Sequence, residues 1–316
     1  MSALLAVDGG QSGLRMALVE DGRPGPPAVV DGFSHGARDR LAAIAAAVAA
    51  ARRSLGVSAP VERACLGLTG APATTELRAR LGRLLSEALD GAAIWLGPDM
   101  VTAHAGALAG EPGVVVAVGT GAVVLGVGAD GRAHRADGLG HLLGDDGSGF
   151  AIGQAAARAA LRAREHRGPQ TALEDAATAF FGGLDDLPHR LYSSSAPVRQ
   201  LAAFAPEVAR IARAGDDVAR AIWENAVDRL VDTTAAVVAR TFPGAPPRSV
   251  PVAHAGRLFG ADDLLLAPFT ARLVERCPAA RHRAPLGDPL DGAARLVASG
   301  LGPYAPLMHT TEGRTT

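Results

Sequence analysis

The chain alternates short apolar runs with longer segments whose apolar residues recur at helical spacing. The short runs predict strands and the longer segments predict helices. Such alternation indicates the α/β class, in which ligands bind at the carboxyl ends of the strands. The polar residues from 310 onward predict a mobile tail. Predicted strands cover residues 3–7, 14–19, 64–68, 94–96 and 250–253, and predicted helices cover residues 38–55, 74–89, 99–109, 150–166, 171–181, 197–214, 216–241 and 291–299.

A pattern of strand, glycine turn, strand and second turn occurs twice. Ala-Val-Asp-Gly-Gly at 6–10 matches Ala-Val-Gly-Thr-Gly at 117–121, and an Asp-Gly-Arg turn follows each. Two ordinary hairpins could share this order by coincidence, since glycine turns are common. The spacing is too long for a solenoid, and it favours two related domains. We place the domains at residues 1–112 and 113–287, with helix 288–302 completing the first and a tail at 303–316.

Composition narrows the class of protein. With 316 residues, 48% hydrophobic side chains and a net charge of -1, the chain fits a soluble two-domain protein that does not bind nucleic acid. No lysine is present, which excludes a P-loop ending in Gly-Lys and a Schiff-base lysine. Cys65 and Cys277 are too few for a disulfide framework or an iron–sulfur site within one chain. The first apolar run ends at Asp8, too early for a signal peptide or a membrane span, so we expect a cytoplasmic protein.

The first glycine turn is a candidate phosphate site. Residues Asp8-Gly9-Gly10-Gln11-Ser12 follow a strand, and glycine lets backbone N–H groups approach a phosphate without a Cβ in the way. An ionised Asp8 only accepts hydrogen bonds, so we expect it to hold Mg²⁺ through water. Plain hairpin turns are the alternative interpretation of this loop.

The second glycine turn, Gly119-Thr120-Gly121, offers the same backbone cradle with the Thr120 hydroxyl as an added donor. It too could be a plain hairpin turn when taken alone.

A third glycine-rich run, at residues 138–149, carries paired carboxylates and leads directly into a predicted helix. Such a segment can place Asp145 and Asp146 against a polyol while Ser148 caps the helix. A calcium loop is the rival interpretation, but the alternating oxygen ligands and terminal Glu of that motif are missing.

Taken together, these motifs resemble the N-acetylglucosamine kinase and BadF/BadG/BcrA/BcrD ATPase family of the sugar kinase, Hsp70 and actin superfamily. The resemblance covers residues 3–300 and is most specific from Asp99 to Ser148. It implies two ribonuclease H-like (actin-like ATPase) domains with an interdomain cleft that closes on ATP, Mg²⁺ and a sugar, and a homodimer. The implied roles are a general base at Asp99, phosphate loops at Gly9, Gly10, Gln11, Ser12 and at Gly119, Thr120, Gly121, an adenosine loop at Gly256, and sugar contacts at Gly144, Asp145 and Asp146.

The sequence departs from the family at several points. Gln11-Ser12-Gly13 stands where the family commonly has a run with Lys, so a positive charge is missing unless Arg15 replaces it. His35 lies where amino-sugar kinases place an Asn that meets the sugar, which makes His35 a candidate sugar contact and leaves the substrate open.

We therefore expect an ATP-dependent kinase that phosphorylates a hydroxyl of an amino sugar, N-acetylglucosamine at the 6-position or glucosamine. In this scheme Asp99, at the start of a helix where the dipole favours a carboxylate, accepts the hydroxyl proton. One alternative is an ATPase activator of acyl-CoA dehydratases or reductases, which needs cysteines at a dimer interface. A second is a sugar-sensing protein without turnover.

Overall fold

The computed structural model describes residues 2–10, 13–33, 39–72 and 74–313. It confirms the α/β class, with strands and helices in the predicted alternation. The strands are β1 Ala3–Gly9, β2 Leu14–Glu20, β3 Arg23–Pro24, β4 Ala28–Val30, β5 Val61–Leu68, β6 Ala93–Pro98, β7 Gly113–Val118, β8 Ala122–Val127, β9 Ala133–Asp137, β10 Val250–Ala255, β11 Ala280–His282 and β12 His309–Thr311. The helices are α1 Arg40–Leu55, α2 Thr75–Ala88, α3 Asp99–Ala107, α4 Gly149–Arg164, α5 Leu173–Phe181, α6 Leu187–Ser193, α7 Pro197–Ala202, α8 Ala205–Arg213, α9 Asp217–Thr241, α10 Ala267–Arg276 and α11 Pro289–Ser299.

The chain divides into two compact units. The first comprises Met1–Val115, Leu125–Ala133 and Ala284–Thr316, and the second comprises Val116–Val124 and His134–Arg283. The strands form two sheets. The two hairpins of the internal repeat are β1–β2 in one sheet and β7–β8 in the other.

The larger sheet has the order β12-β6-β5-β1-β2-β3, and β4 also pairs with β2. Strands β1, β5 and β6 are parallel, with Asp8 opposite Gly67 and Leu68 opposite Pro98. The carboxyl ends of these strands therefore lead into the first glycine turn, the Thr69–Gly70 turn and helix α3. In the described residues, the core beside this sheet includes Leu5, Val7, Ile44, Leu66 and Leu81, each fully buried.

Helix α11 packs against α3 and β1 within the first unit. The two helices approach closely because glycines face each other. A Cβ on Gly106 would overlap the carbonyl oxygen of Asp288, and a Cβ on Gly292 would overlap that of Thr102. Asp288 begins α11 with a capping box that also involves Asp291.

The second sheet has the order β11-β10-β7-β8-β9 in the described chain. Helix α4 follows the predicted glycine-rich run, and Ser148 caps it by accepting a hydrogen bond from the Ala151 N–H at 3.1 Å, as the sequence predicts. The predicted helix 197–214 is wrong as a single element. It breaks at Ala203–Phe204, because Pro206 has no N–H for a helix interior and instead lies in the first turn of α8.

The predicted mobile tail is also wrong in part. Residues His309–Thr311 form β12, antiparallel to β6, with Thr310 opposite Trp95. A three-residue polar strand at a sheet edge carries almost no apolar pattern, so its pairing is not evident from the sequence.

Candidate active site

At the end of β1, Asp8 forms an ion pair with Arg15 on the neighbouring strand. The Arg15 Nη2 lies 2.7 Å from Oδ2 of Asp8, and Arg15 Nη1 lies 2.7 Å from Oδ2 of Asp288. Burial raises the pKa of Asp8, and the charges of Asp99 and Asp288 act in the same direction, while Arg15 opposes them. Asp8 and Asp288 thus share one guanidinium, and Asp99 adds a further carboxylate near Asp8, which leaves an excess of negative charge at this end of the sheet.

The contacts of Arg15 argue against its replacing the missing lysine of the first phosphate loop. The guanidinium is already committed to two carboxylates, Asp8 and Asp288. Arg15 is therefore placed to neutralise Asp8 rather than to extend toward a phosphate.

Asp99 is the first residue of α3, as the sequence predicts. The residue before it, Pro98, is the N-cap, and no side chain makes a capping hydrogen bond at this helix end. Instead, Oδ2 of Asp99 accepts a hydrogen bond from the Thr69 hydroxyl at 2.6 Å. A purely capping role for Asp99 is therefore not what the geometry shows, and its carboxylate is directed to a neighbouring loop.

The first glycine turn lies against that loop. The Gly10 N–H donates to the carbonyl oxygen of Gly13 at 3.0 Å, which closes the turn, so this N–H is not available to a phosphate. A Cβ on Gly10 would lie 2.7 Å from the Thr69 hydroxyl oxygen, and a Cβ on Gly9 would press on Leu14 and Leu68. Gly10 therefore leaves room for the Thr69 hydroxyl, and Gly9 packs closely against the two leucine side chains. The predicted site residues Gln11, Ser12 and His35 lie outside the described residues.

The second glycine turn is closed in the same way, by a hydrogen bond from the Gly119 N–H to the Gly121 carbonyl at 2.9 Å. The Ala122 N–H donates to Oδ1 of Asp145 at 3.1 Å. A Cβ on Gly121 would lie 2.7 Å from the same oxygen, which explains the glycine there. Asp145 therefore braces this turn. Burial raises its pKa, and the Asp137 charge adds to that shift while the Ala122 N–H opposes it.

The turn at Gly144-Asp145-Asp146 is held by Asp137, which the sequence analysis missed. Its Oδ1 accepts from the Asp145 N–H at 2.6 Å and its Oδ2 from the Asp146 N–H at 2.8 Å. A Cβ on Gly144 would overlap Oδ1 of Asp137, so glycine is needed at this position. Asp137 adopts φ 61°, a conformation that only Gly, Asn and Asp adopt readily. The Asp137-Gly138 dipeptide is the sequence signal that could have found it.

Gly256 follows β10 with φ 95°. A Cβ at this residue would overlap the carbonyl oxygen of Val118, so the loop crosses β7 at backbone contact. His254, two residues earlier, lies beside His282 with Nδ1 and Nε2 3.1 Å apart. Burial lowers the pKa of both imidazoles, which favours a neutral pair.

The structure thus brings predicted residues together within each unit. In the first unit Asp8 and the glycine turn lie at the carboxyl end of β1, and Asp99 follows the carboxyl end of β6, on the other side of β5. In the second unit the Gly119–Gly121 turn and the Asp145 turn are in direct contact. Among residues 2–10, 13–33, 39–72 and 74–313, no group of three or more His, Cys, Asp or Glu side chains is arranged to hold a metal ion. Over the same ranges, none of the helices combines the length and apolar character needed to cross a bilayer.

The chain is similar to known proteins along most of its length. It is 32% identical over 176 residues to an N-acetylmuramic acid/N-acetylglucosamine kinase of Clostridium acetobutylicum, a match that covers 55% of this chain and only 57% of that protein. It is 27% identical over 239 residues to an N-acetyl-D-glucosamine kinase of Dictyostelium discoideum, covering 73% of this chain and 74% of that protein. A solved structure of a candidate N-acetylglucosamine kinase of Chromobacterium violaceum is 29% identical, with a TM-score of 0.75 and coverage of 94% and 99% of the two chains.

The two sheets and their glycine turns place the protein in the class with the actin-like ATPase and sugar kinase fold. The model of the BadF/BadG/BcrA/BcrD ATPase family matches residues 7–295. The chain belongs to this family.

Proposed function

We propose that the protein is an ATP-dependent kinase that transfers a phosphoryl group to a hydroxyl of an amino sugar, N-acetylglucosamine at the 6-position being the preferred substrate. One observation carries the proposal: the Asp99 carboxylate is free of a capping role and lies at the same sheet end as Asp8 and the first glycine turn. The names of the similar proteins support the amino sugar as substrate class.

In this proposal Asp99, the first residue of α3, accepts the proton of the attacking hydroxyl. Gly144, Asp145 and Asp146 contact sugar hydroxyls, with Asp137 fixing the shape of their turn. In the second phosphate loop, the Thr120 and Gly121 N–H groups and the Thr120 hydroxyl are the donors offered to phosphate, since the Gly119 N–H closes the turn. The loop at Gly256, whose backbone contacts β7, contributes to the adenosine site.

The residues present fit Mg²⁺. The surplus of carboxylate charge around Arg15 suits a divalent cation, and Mg²⁺ keeps most of its waters while using one or two carboxylates plus substrate phosphates. Asp8 would hold the ion, through water, and the ion would neutralise charge on the transferring phosphoryl group. A homodimer remains part of the proposal through the family resemblance alone.

The test is coupled ADP release across N-acetylglucosamine, glucosamine, N-acetylmuramic acid, N-acetylmannosamine, glucose and a sample without sugar. We expect sugar-dependent release that is highest with N-acetylglucosamine. Fast release that no sugar stimulates would contradict the kinase and support an ATPase activator. Sugar binding without release would support a sensor.

The activator alternative meets a structural obstacle. Cys65 is fully buried in β5, and burial raises the pKa of its thiol to about 12. Cys277 is buried as well. Neither thiol is exposed to ligate a cluster shared between two chains.

A further inference from the structure

The turn after β5 connects the first glycine turn to Asp99. The Thr69 N–H donates to the Gly9 carbonyl oxygen at 2.9 Å, and the Thr69 hydroxyl donates to Oδ2 of Asp99 at 2.6 Å. One residue therefore bonds to the predicted phosphate loop through its backbone and to the predicted base through its side chain.

The position of Thr69 is itself fixed. Arg40, the first residue of α1, donates through Nη2 to the Thr69 carbonyl at 3.2 Å and also to the Gly70 carbonyl. Gly70 has φ 63°, so the turn reverses direction directly after Thr69. Because its N–H and its carbonyl are both hydrogen-bonded, the Thr69 backbone has little freedom. The position from which its hydroxyl donates is therefore defined.

The contact with Gly10 restricts the hydroxyl further. The Cβ that any other residue would carry at position 10 would come within 2.7 Å of the Thr69 oxygen. The glycine turn therefore leaves space for this hydroxyl and for little else. A hydroxyl packed on one side by a loop and bonded on the other to a carboxylate fixes the direction in which that carboxylate faces.

We propose that Thr69 is a positioning residue that orients the Asp99 carboxylate toward the attacking hydroxyl and keeps it aligned with the first glycine turn. This inference rests on the proposed function, because it assumes that Asp99 is the base. A hydroxyl is needed, since the interaction is a donated hydrogen bond to Oδ2, and the second oxygen of Asp99 remains to accept the substrate proton.

The decisive variant is Thr69→Val, which keeps the shape and removes the hydroxyl. We expect kcat to fall about tenfold with little change in the sugar KM, because a misdirected base affects the chemical step more than binding. Thr69→Ser, which restores the hydroxyl, should recover most of kcat with the sugar KM again unchanged.

Thr233→Val is the matched control, because the Thr233 hydroxyl bonds only to the Arg229 carbonyl of its own helix. It should leave kcat and the sugar KM unchanged. A Thr69→Val enzyme with parental kcat, beside an inactive Asp99→Asn enzyme, would overturn the inference and leave the proposed function standing. Retained activity in Asp99→Asn would instead overturn the proposed function. If Thr69→Val fails to fold, Thr69→Ser and Thr69→Ala supply the comparison, with Ala expected to show the loss and Ser the recovery.

Discussion

The phenol oxygen of Tyr304 lies 2.9 Å from Nδ1 of His104, inside the first unit. The other imidazole nitrogen, Nε2, lies 3.0 Å from the Gly113 carbonyl, which can only accept a hydrogen bond. Nε2 therefore carries the proton, and Nδ1 accepts from the tyrosine. His104 lies within the predicted helix that begins at Asp99. The structure shows a buried, neutral imidazole that ties α3 to the start of β7.

This geometry predicts a stability that depends on pH. Burial lowers the pKa of His104 to about 4, against an ordinary value of 6.5. Between these values the unfolded chain binds a proton that the folded chain does not. The stability that the neutral imidazole contributes is therefore fully present above about pH 6.5 and is lost as the pH falls toward 4. The loss amounts to about 3 kcal/mol at the acidic end. Urea unfolding at several pH values measures it.

His104→Gln removes the titrating group. We expect lower stability at neutral pH and a flatter dependence on pH between 6.5 and 4. His189→Gln, at an exposed position on α6, serves as the control and should reproduce the parental curve. An unaltered acid dependence in His104→Gln would show that other groups set it.

Asp99→Asn tests the proposed base. Asparagine keeps the shape and can still accept the Thr69 hydrogen bond, but it cannot take up the substrate proton. We expect kcat to fall by about 10² to 10⁴ while the sugar affinity changes little. Asp217→Asn, at the first position of α9, is the matched change at a helix start and should have no effect on kcat. Near-parental turnover by Asp99→Asn, with an unchanged Tm, would remove Asp99 as the catalyst.

Asp8→Asn tests the metal assignment. It keeps a hydrogen-bond acceptor for Arg15 and removes the negative charge. We expect a higher Mg²⁺ requirement for ATP turnover and an almost unchanged sugar affinity, because we place the sugar contacts elsewhere. ATP turnover measured against Mg²⁺ concentration reports the metal requirement. Calorimetry of sugar binding without nucleotide reports the sugar affinity. Asp90→Asn, whose carboxylate pairs with Arg52 on the surface, is the control. Equal loss of sugar binding would contradict this division of roles.

Asp137→Asn tests whether Asp137 holds the shape of the Gly144-Asp145-Asp146 turn. Asparagine adopts the same backbone conformation readily, so the change removes one of two acceptor oxygens without backbone strain. One of the N–H groups of Asp145 and Asp146 then faces an amide donor. We expect a loss of about 1–3 kcal/mol in unfolding free energy and a raised sugar KM. Asp130→Asn is the control, because only one oxygen of Asp130 accepts a backbone N–H, from Arg132. A parental KM would show that this turn does not meet the sugar.

Gly256→Ala tests the backbone crossing at the predicted adenosine loop. The new Cβ would overlap the Val118 carbonyl in a conformation that L-residues avoid, so we expect a loss of about 2–4 kcal/mol and weaker ATP binding. Gly260→Ala, which adds a Cβ in open space a few residues on, should be neutral. Thermal unfolding measured with and without ATP reports both the loss of stability and the weaker ATP binding. A stable Gly256→Ala protein with parental ATP affinity would contradict the predicted role.

The sequence predicts the elements whose signals are local. Gly97-Pro98 before Asp99 marks the start of α3, and Ser148 after a glycine run marks the start of α4. It does not predict contacts between distant segments, such as Thr69 with Asp99 or Asp137 with the Asp145 turn. Those contacts depend on which strand ends become neighbours, and a single exposed Thr or Asp carries no pattern of its own. The sequence likewise marks Asp8 and Asp99 as separate candidates and carries no signal that Asp288 lies beside Arg15.

Helix α11 lies late in the sequence but belongs to the first unit, where Gly292 packs against α3. During synthesis the amino-terminal residues leave the ribosome first and still lack this helix. The surfaces of α3 and β1 that α11 covers therefore stay uncovered until residue 299 has emerged. The second unit contains an unbroken stretch from His134 to Arg283 and has most of its residues available earlier. The first unit can therefore be completed only after the residues of the second unit have emerged, although the chain begins with the first unit.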